Sequence, residues 1–134
     1  MSSTIVASND TDNGVNDISI PPLANSVTVD GSNNLVMNWT GAVTLPVDTL
    51  TGDPALLQLT TDDGGLTATH PLSAGSVAID AGSNPDVLGC DQRGYPYHRV
   101  QGSAADIGAY EAQGERHLFA DGFDGSADCP SAAP

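Results

Sequence analysis

An all-β fold is what this sequence predicts, and three observations predict it. Apolar and polar residues alternate over short runs, as in Asp17-Ile18-Ser19-Ile20 and Ser26-Val27-Thr28-Val29-Asp30, which is the period of a half-buried strand. Glycine, proline, asparagine and aspartate interrupt these runs every few residues, as at Pro21-Pro22 and Gly31-Ser32-Asn33-Asn34, and such residues mark turns. No window sustains apolar residues at i, i+3, i+4 and i+7, so nothing calls for a long helix. Short strands with irregular loops suit either a sandwich or the coils of a parallel β-solenoid.

Taken in order, the chain opens on Thr4-Ile5-Val6-Ala7, a short strand, and enters the polar stretch Ser8 to Gly14, which reads as an exposed loop. That loop does not fit an EF-hand. With Gly14 at the sixth position, Asn9, Thr11 and Asn13 fall where acids belong and Ile20 falls where a bidentate Glu belongs. Further strands are expected at 17–20, 26–30, 35–40 and 42–45, the last closed by Pro46. Ala55 to Leu59 has the length of one helical turn before Thr60-Thr61 and Gly64-Gly65 end it. The interval from Ile5 to Val27 is about one coil on the usual solenoid scale of roughly 20–45 residues. From Gly64 onward turn residues outnumber apolar ones, and only the neighbourhoods of Val77 and Ile107 are strand-like. Gly75 to Gly82 reads as one brief buried strand, Val77 to Ile79, ending on Asp80, whose carboxylate is placed to accept bonds from the next turn.

The 134 residues fit one domain, which at this size buries about two-thirds of its unfolded surface. Its apolar content is aliphatic, with one Trp, two Phe and three Tyr, as short stacked strands allow. Seventeen acidic residues face three arginines and no lysine, for a net charge of −14. Nucleic acid and anionic membrane are poor partners for such a surface, because both are held by Lys and Arg, and neither nucleic-acid binding nor membrane insertion is expected. No apolar run reaches membrane-spanning length. Fifteen of the acids are Asp, mostly beside turn residues, which is first a turn-forming role. Its functional alternative is calcium held by the loops of Asp62, Asp63 and Asp80; no other cofactor is expected. The start lacks the basic and apolar regions of a secretory signal. The chain is therefore either cytosolic or a piece of a longer exported polypeptide, and its composition favours the second. Cys90 and Cys129 are too few and too far apart for a zinc site, and leave either free thiols or one disulfide, which requires an oxidising compartment.

No catalytic residue is assigned. A Gly-x-Ser-x-Gly turn is absent, and Ser76 in Gly-Ser-Val-Ala suits a turn. His70, His98 and His117 are scattered, without the His-x-x-x-His spacing of a zinc pair. A lyase would need an Arg or Lys base, and Arg93 in Asp91-Gln92-Arg93-Gly94 is the one candidate. Its alternative, clamping neighbouring carboxylates and loop carbonyls, is favoured. Abundant carboxylates do not by themselves make a glycosidase pair.

Five phrases occur in order: Asp53-Pro54-Ala55-Leu56; Asp63-Gly64-Gly65-Leu66 through Leu72; Gly75-Ser76-Val77-Ala78-Ile79-Asp80-Ala81-Gly82; Asp91-Gln92-Arg93-Gly94-Tyr95-Pro96; and Asp106-Ile107-Gly108-Ala109-Tyr110-Glu111. Together they resemble the C-terminal region of bacterial exported proteins described as choice-of-anchor Q domain proteins. The resemblance implies the last coils of a right-handed parallel β-helix over residues 1–60, a loop-rich capping region with the motifs over 61–114, and a flexible tail over 115–134. It implies a surface or secreted module and leaves the chemistry open; the preferred reading is a non-enzymatic one that caps an upstream β-helix of a longer parent chain and presents it at the cell surface, adhesin-like, with an extracellular glycan or protein as ligand. Asp63, Gly64, Gly65, Asp80, Gly82, Asp91, Arg93, Gly94, Asp106 and Gly108 would then hold loops. The alternative is a fragment of a carbohydrate-active β-helix enzyme, a polysaccharide lyase or hydrolase, with its site mainly upstream. One departure concerns the cysteines: family members often pair one before the Asp-Ile-Gly-Ala phrase, where Ala105 stands here, so Cys90 is free or bonded to Cys129. Leu118-Phe119-Ala120-Asp121-Gly122-Phe123-Asp124 is similar to a short sorting or processing phrase on exported proteins of some Gram-negative bacteria.

Overall fold

A computed structural model describes residues 1–11, 14–21, 25–61, 64–113 and 129. Among them the fold is all-β without a helix, and its nine strands are two residues each. They are β1 (Ile5–Val6), β2 (Asp10–Thr11), β3 (Gly14–Val15), β4 (Ile18–Ser19), β5 (Val27–Thr28), β6 (Leu35–Val36), β7 (Trp39–Thr40), β8 (Val43–Thr44) and β9 (Leu50–Thr51). Three of the four sheets are parallel, β1-β6-β9, β4-β7 and β5-β8. This is not the pairing of an antiparallel sandwich. The first three of these strands, β1, β4 and β5, are matched in the same order by β6, β7 and β8, and β9 adds a third level on β6.

Register explains the aliphatic composition. Ile5, Leu35 and Leu50 share one column, Val6, Val36 and Thr51 the next, so like side chains stack on like across levels. Leu35 and Val36 are fully buried. Turn residues carry the ladder past the strand ends. Asn34, also fully buried, accepts the Thr4 N–H at 3.1 Å and donates from its side chain to the Met1 carbonyl at 3.2 Å. Within the stretch read as an exposed loop, Ser8 to Asp10 are exposed, and β2 pairs antiparallel with β3; beside them the Asp17 carboxylate takes the Asn9 N–H at 2.8 Å and the Asn38 N–H at 2.9 Å.

After β9 the chain forms an antiparallel pair of arms, bridging Leu56 to Leu72 and Thr60 to Thr69. Ala55 to Leu59 is thus an extended arm and not a helical turn. The strand expected at Val77 to Ile79 is also a turn. Ser76 is the cause: its hydroxyl takes the Ala78 N–H at 3.2 Å and donates to the Pro54 carbonyl at 2.5 Å, while its own carbonyl takes the Ile79 N–H at 3.2 Å. Local side-chain bonding of this kind competes with a ladder, and Val77 is left half exposed. No strand forms around Ile107 either; its N–H goes to the Ala78 carbonyl at 2.8 Å.

This second half packs on the face of the three-stranded sheet. Leu72, Ala78 and Ile107 join Leu35 in the core, with Ile5, Leu50 and Leu56 against them. Backbone bonds pin it there: Gly108 N–H to the Ser3 carbonyl at 2.9 Å, and Ser83 N–H to the Ser3 hydroxyl at 2.8 Å. No helix among the described residues is long and apolar enough to cross a membrane. The tail expected over 115–134 lies outside the described residues, Cys129 excepted.

Candidate functional site

Beside the sheet-covering segment lies a buried cluster of three carboxylates and two guanidiniums. The first pair sits on the turn of residues 91–97, closed by Gly94 N–H to Asp91 O and Tyr97 N–H to Gly94 O. Asp91 accepts its neighbour's backbone, Arg93 N–H, at 2.8 Å, which folds the guanidinium back onto the same carboxylate. Arg93 Nε and Nη2 then donate to Asp91 Oδ2 at 3.0 and 2.6 Å. Nη2 also reaches the Glu111 carbonyl at 2.6 Å. Both faces of the guanidinium are covered, with the Tyr97 and Tyr110 ring centres each 3.9 Å away. This is the stacked, planar role for which Lys cannot substitute.

The second pair joins more distant loops. Arg99 donates from Nη1 to Glu111 Oε2 at 2.9 Å and from Nη2 to the carbonyls of Asp106 and Gly108 at 3.1 and 3.0 Å. Glu111, fully buried, also accepts the N–H groups of Gln101 at 2.7 Å and Asp106 at 2.9 Å, while its own N–H goes to Asp91 Oδ2 at 2.9 Å. Asp106, 1% exposed, holds the Asp80 and Ala112 N–H groups at 2.8 and 2.6 Å. Asp80 does not serve the turn that follows it; its carboxylate crosses to the N–H groups of Ser103 and Ala104 at 2.8 and 3.2 Å. Burial pushes the Glu111 carboxyl up to about 7, against the backbone N–H groups of Asp106 and Gln101 and the charge of Arg99. Burial likewise raises Asp106, against the Ala112 and Asp80 N–H groups.

Of the glycines singled out by sequence, Gly64, Gly65 and Gly82 are places where backbone approaches this cluster. A Cβ on Gly64 would meet the Tyr97 hydroxyl, and one on Gly65 the Arg93 side chain at 2.9 Å. At Gly82 it would overlap the Asp106 carbonyl, and at Gly108 press Ile5 at 3.2 Å. Gly94, at φ +77°, makes the turn with open space around it. Cys90 and Cys129 are joined in a disulfide. Asp62 and Asp63 lie outside the described residues, Asp80 is engaged with backbone, and no group of three His, Cys, Asp or Glu side chains among the described residues is arranged to hold a metal.

The larger open space lies elsewhere. A groove of about 1080 Å³ runs between the segment Ser3 to Asn9 and the arm bearing Leu57, Leu59 and His70. His70 Nδ1 lies 2.8 Å from the Leu57 carbonyl on the facing arm, and Gln92 Nε2 donates to Thr67 Oγ1 at 2.9 Å, tying the turn of residues 91–97 to the loop that bears Thr67. A cavity of about 390 Å³ touches Asp91 and Arg99 from the other side, but the polar atoms of both face their partners in the cluster.

Sequence reading named Arg93, Asp91, Asp80 and Asp106, with Arg99 as a second guanidinium for those aspartates, and missed Glu111 as the partner of Arg99 and the two tyrosines around Arg93. A signal existed: Glu111 is one of only two glutamates in an aspartate-rich chain, and the longer side chain is what spans from its own loop to Gln101. The chain matches no family model, no curated protein and no solved structure, so the functional reading rests on this geometry together with the ordered sequence phrases.

Proposed function

We propose that this chain is a non-enzymatic C-terminal module of an exported bacterial β-helix protein of the choice-of-anchor Q type, covering stacked coils and presenting them at the cell surface. The observation that carries the reading is that the buried charged groups satisfy one another. Asp91 with Arg93 and Glu111 with Arg99 are closed by hydrogen bonds to each other and to loop backbone, and none of these side chains lines the larger groove. A reacting carboxylate must face substrate; these face backbone. The parallel match of β1, β4 and β5 with β6, β7 and β8 supports coils of a solenoid. On this reading β1, β4 and β5, each an outer strand of its sheet, receive the preceding coil of the parent chain. Unpaired strand edges favour such pairing.

A fragment of a carbohydrate-active enzyme is the second reading, favoured by the groove with Tyr110, His70 and Gln92 on its walls. Incubating the protein with acidic and neutral polysaccharides and assaying reducing and unsaturated sugar ends separates the two. No release is expected. Release that disappears on substituting His70 or Gln92 would replace the first reading with the second.

A further inference from the structure

The buried cluster has an odd charge. Among the described residues Asp91, Asp106 and Glu111 are each at most 6% exposed, and only Arg93 and Arg99 are buried with them. Arg93 is spent on Asp91 and Arg99 on Glu111. Asp106 has no cation of its own, only the N–H groups of Asp80 and Ala112. It is tied to the second pair through its backbone, since its N–H shares Glu111 Oε2 with Arg99. Asp80, across the same loop, adds a further negative charge near Asp106, and Tyr97 and Tyr110 lie on Arg93 without offering a countercharge. A buried carboxylate without a full partner is relieved most cheaply by a proton, and two coupled carboxyl groups titrate as a pair.

We propose that this cluster is a proton-binding site: Asp106 and Glu111 together hold one proton near neutral pH, and its release loosens the strap of residues 101–106. The strap is the segment that the Glu111 and Asp80 carboxylates secure. Glu111 anchors it at the Gln101 and Asp106 N–H groups, and Asp80 holds its middle at Ser103 and Ala104. With the proton gone, the closed strap buries one uncompensated charge, which opening hydrates. The strap is therefore tight in mildly acidic surroundings and looser above neutrality.

The test follows the side-chain carboxyl carbon signals of Asp106 and Glu111 by NMR from pH 5 to 9, with hydrogen exchange of the Gln101 and Asp106 amides corrected for their intrinsic rates. The expected result is an inflection near neutrality amounting to one proton over the pair, and strap opening that grows up to roughly a hundredfold from pH 5 to pH 8. In Asp106→Asn, the strap's opening should lose most of its pH dependence. Flat carboxyl signals across the range in the unsubstituted protein, or strap protection that does not change with pH, would overturn the proposal whether or not the variant folds.

Discussion

The two halves of the chain are held together by different physics. Residues 1–51 are stacked through backbone ladders two residues long, with aliphatic columns such as Ile5, Leu35 and Leu50 filling the space between levels. Residues 64–113 have almost no ladder and rely on side chains bonded to distant backbone: Asp91, Arg93, Arg99, Asp106 and Glu111. In the first half many residues of the right size and period would serve. In the second, a given atom must arrive at a given carbonyl or N–H, so exchange for a similar residue is not neutral.

That contrast is broken most severely at Arg93. Replacing Arg93 by Ala leaves Asp91 buried without its partner, and a loss of about 3–5 kcal/mol is expected, read as a lowered urea midpoint; Val27→Thr on the exposed surface of β5 is its reference. Next, reducing the Cys90–Cys129 bond, whose partners are 39 residues apart, should cost about 4 kcal/mol on the chain-entropy account. The comparison is the unfolding midpoint with and without reductant.

Proton linkage comes third. Glu111 is raised from 4.5 to about 7 in the folded protein. Below its unfolded value the group is protonated folded and unfolded alike and its contribution is fully present. Between the two values only the folded state keeps the proton, so the contribution falls as pH rises through about 7, by about 3 kcal/mol in all. Stability curves of the protein and of Glu111→Gln, taken side by side, isolate the effect; parallel curves would remove it. Smaller still is the difference between two glycines. Gly64 at φ +95° has the Tyr97 hydroxyl in the way of a Cβ, whereas Gly75 at φ +87° has nothing within 4 Å. Gly75→Ala should cost about 1–2 kcal/mol from its backbone alone, and Gly64→Ala about 1–3 kcal/mol more. Val27→Thr, last, should stay within about 0.5–1 kcal/mol.

The stacked half was legible because period-two runs announce short strands, and β1, β4, β5 and β8 fall inside the expected ones. Their partners were not. Ile18 lies on Trp39 and Val27 on Val43, a pairing set by loop lengths that no local run encodes. At Val77 to Ile79 the apolar run suggested a strand, but Ser76 captured the backbone donors a ladder would have used, the Ala78 N–H with its hydroxyl and the Ile79 N–H with its carbonyl. At the cluster, Arg93 beside Asp91 was readable because the two are adjacent on a turn; Arg99 with Glu111 was not, because only the fold brings them together.

Composition and alternation by themselves determined an aliphatic, turn-rich and strongly acidic β protein, since those properties depend on which residues are present and how often they recur. Tertiary structure alone decided which strand lies on which, that the motif-bearing loops lie along the face of the β1-β6-β9 sheet, and that three acids are buried with only two arginines beside them. Those outcomes depend on where segments far apart in sequence meet, and on how much water remains when they do.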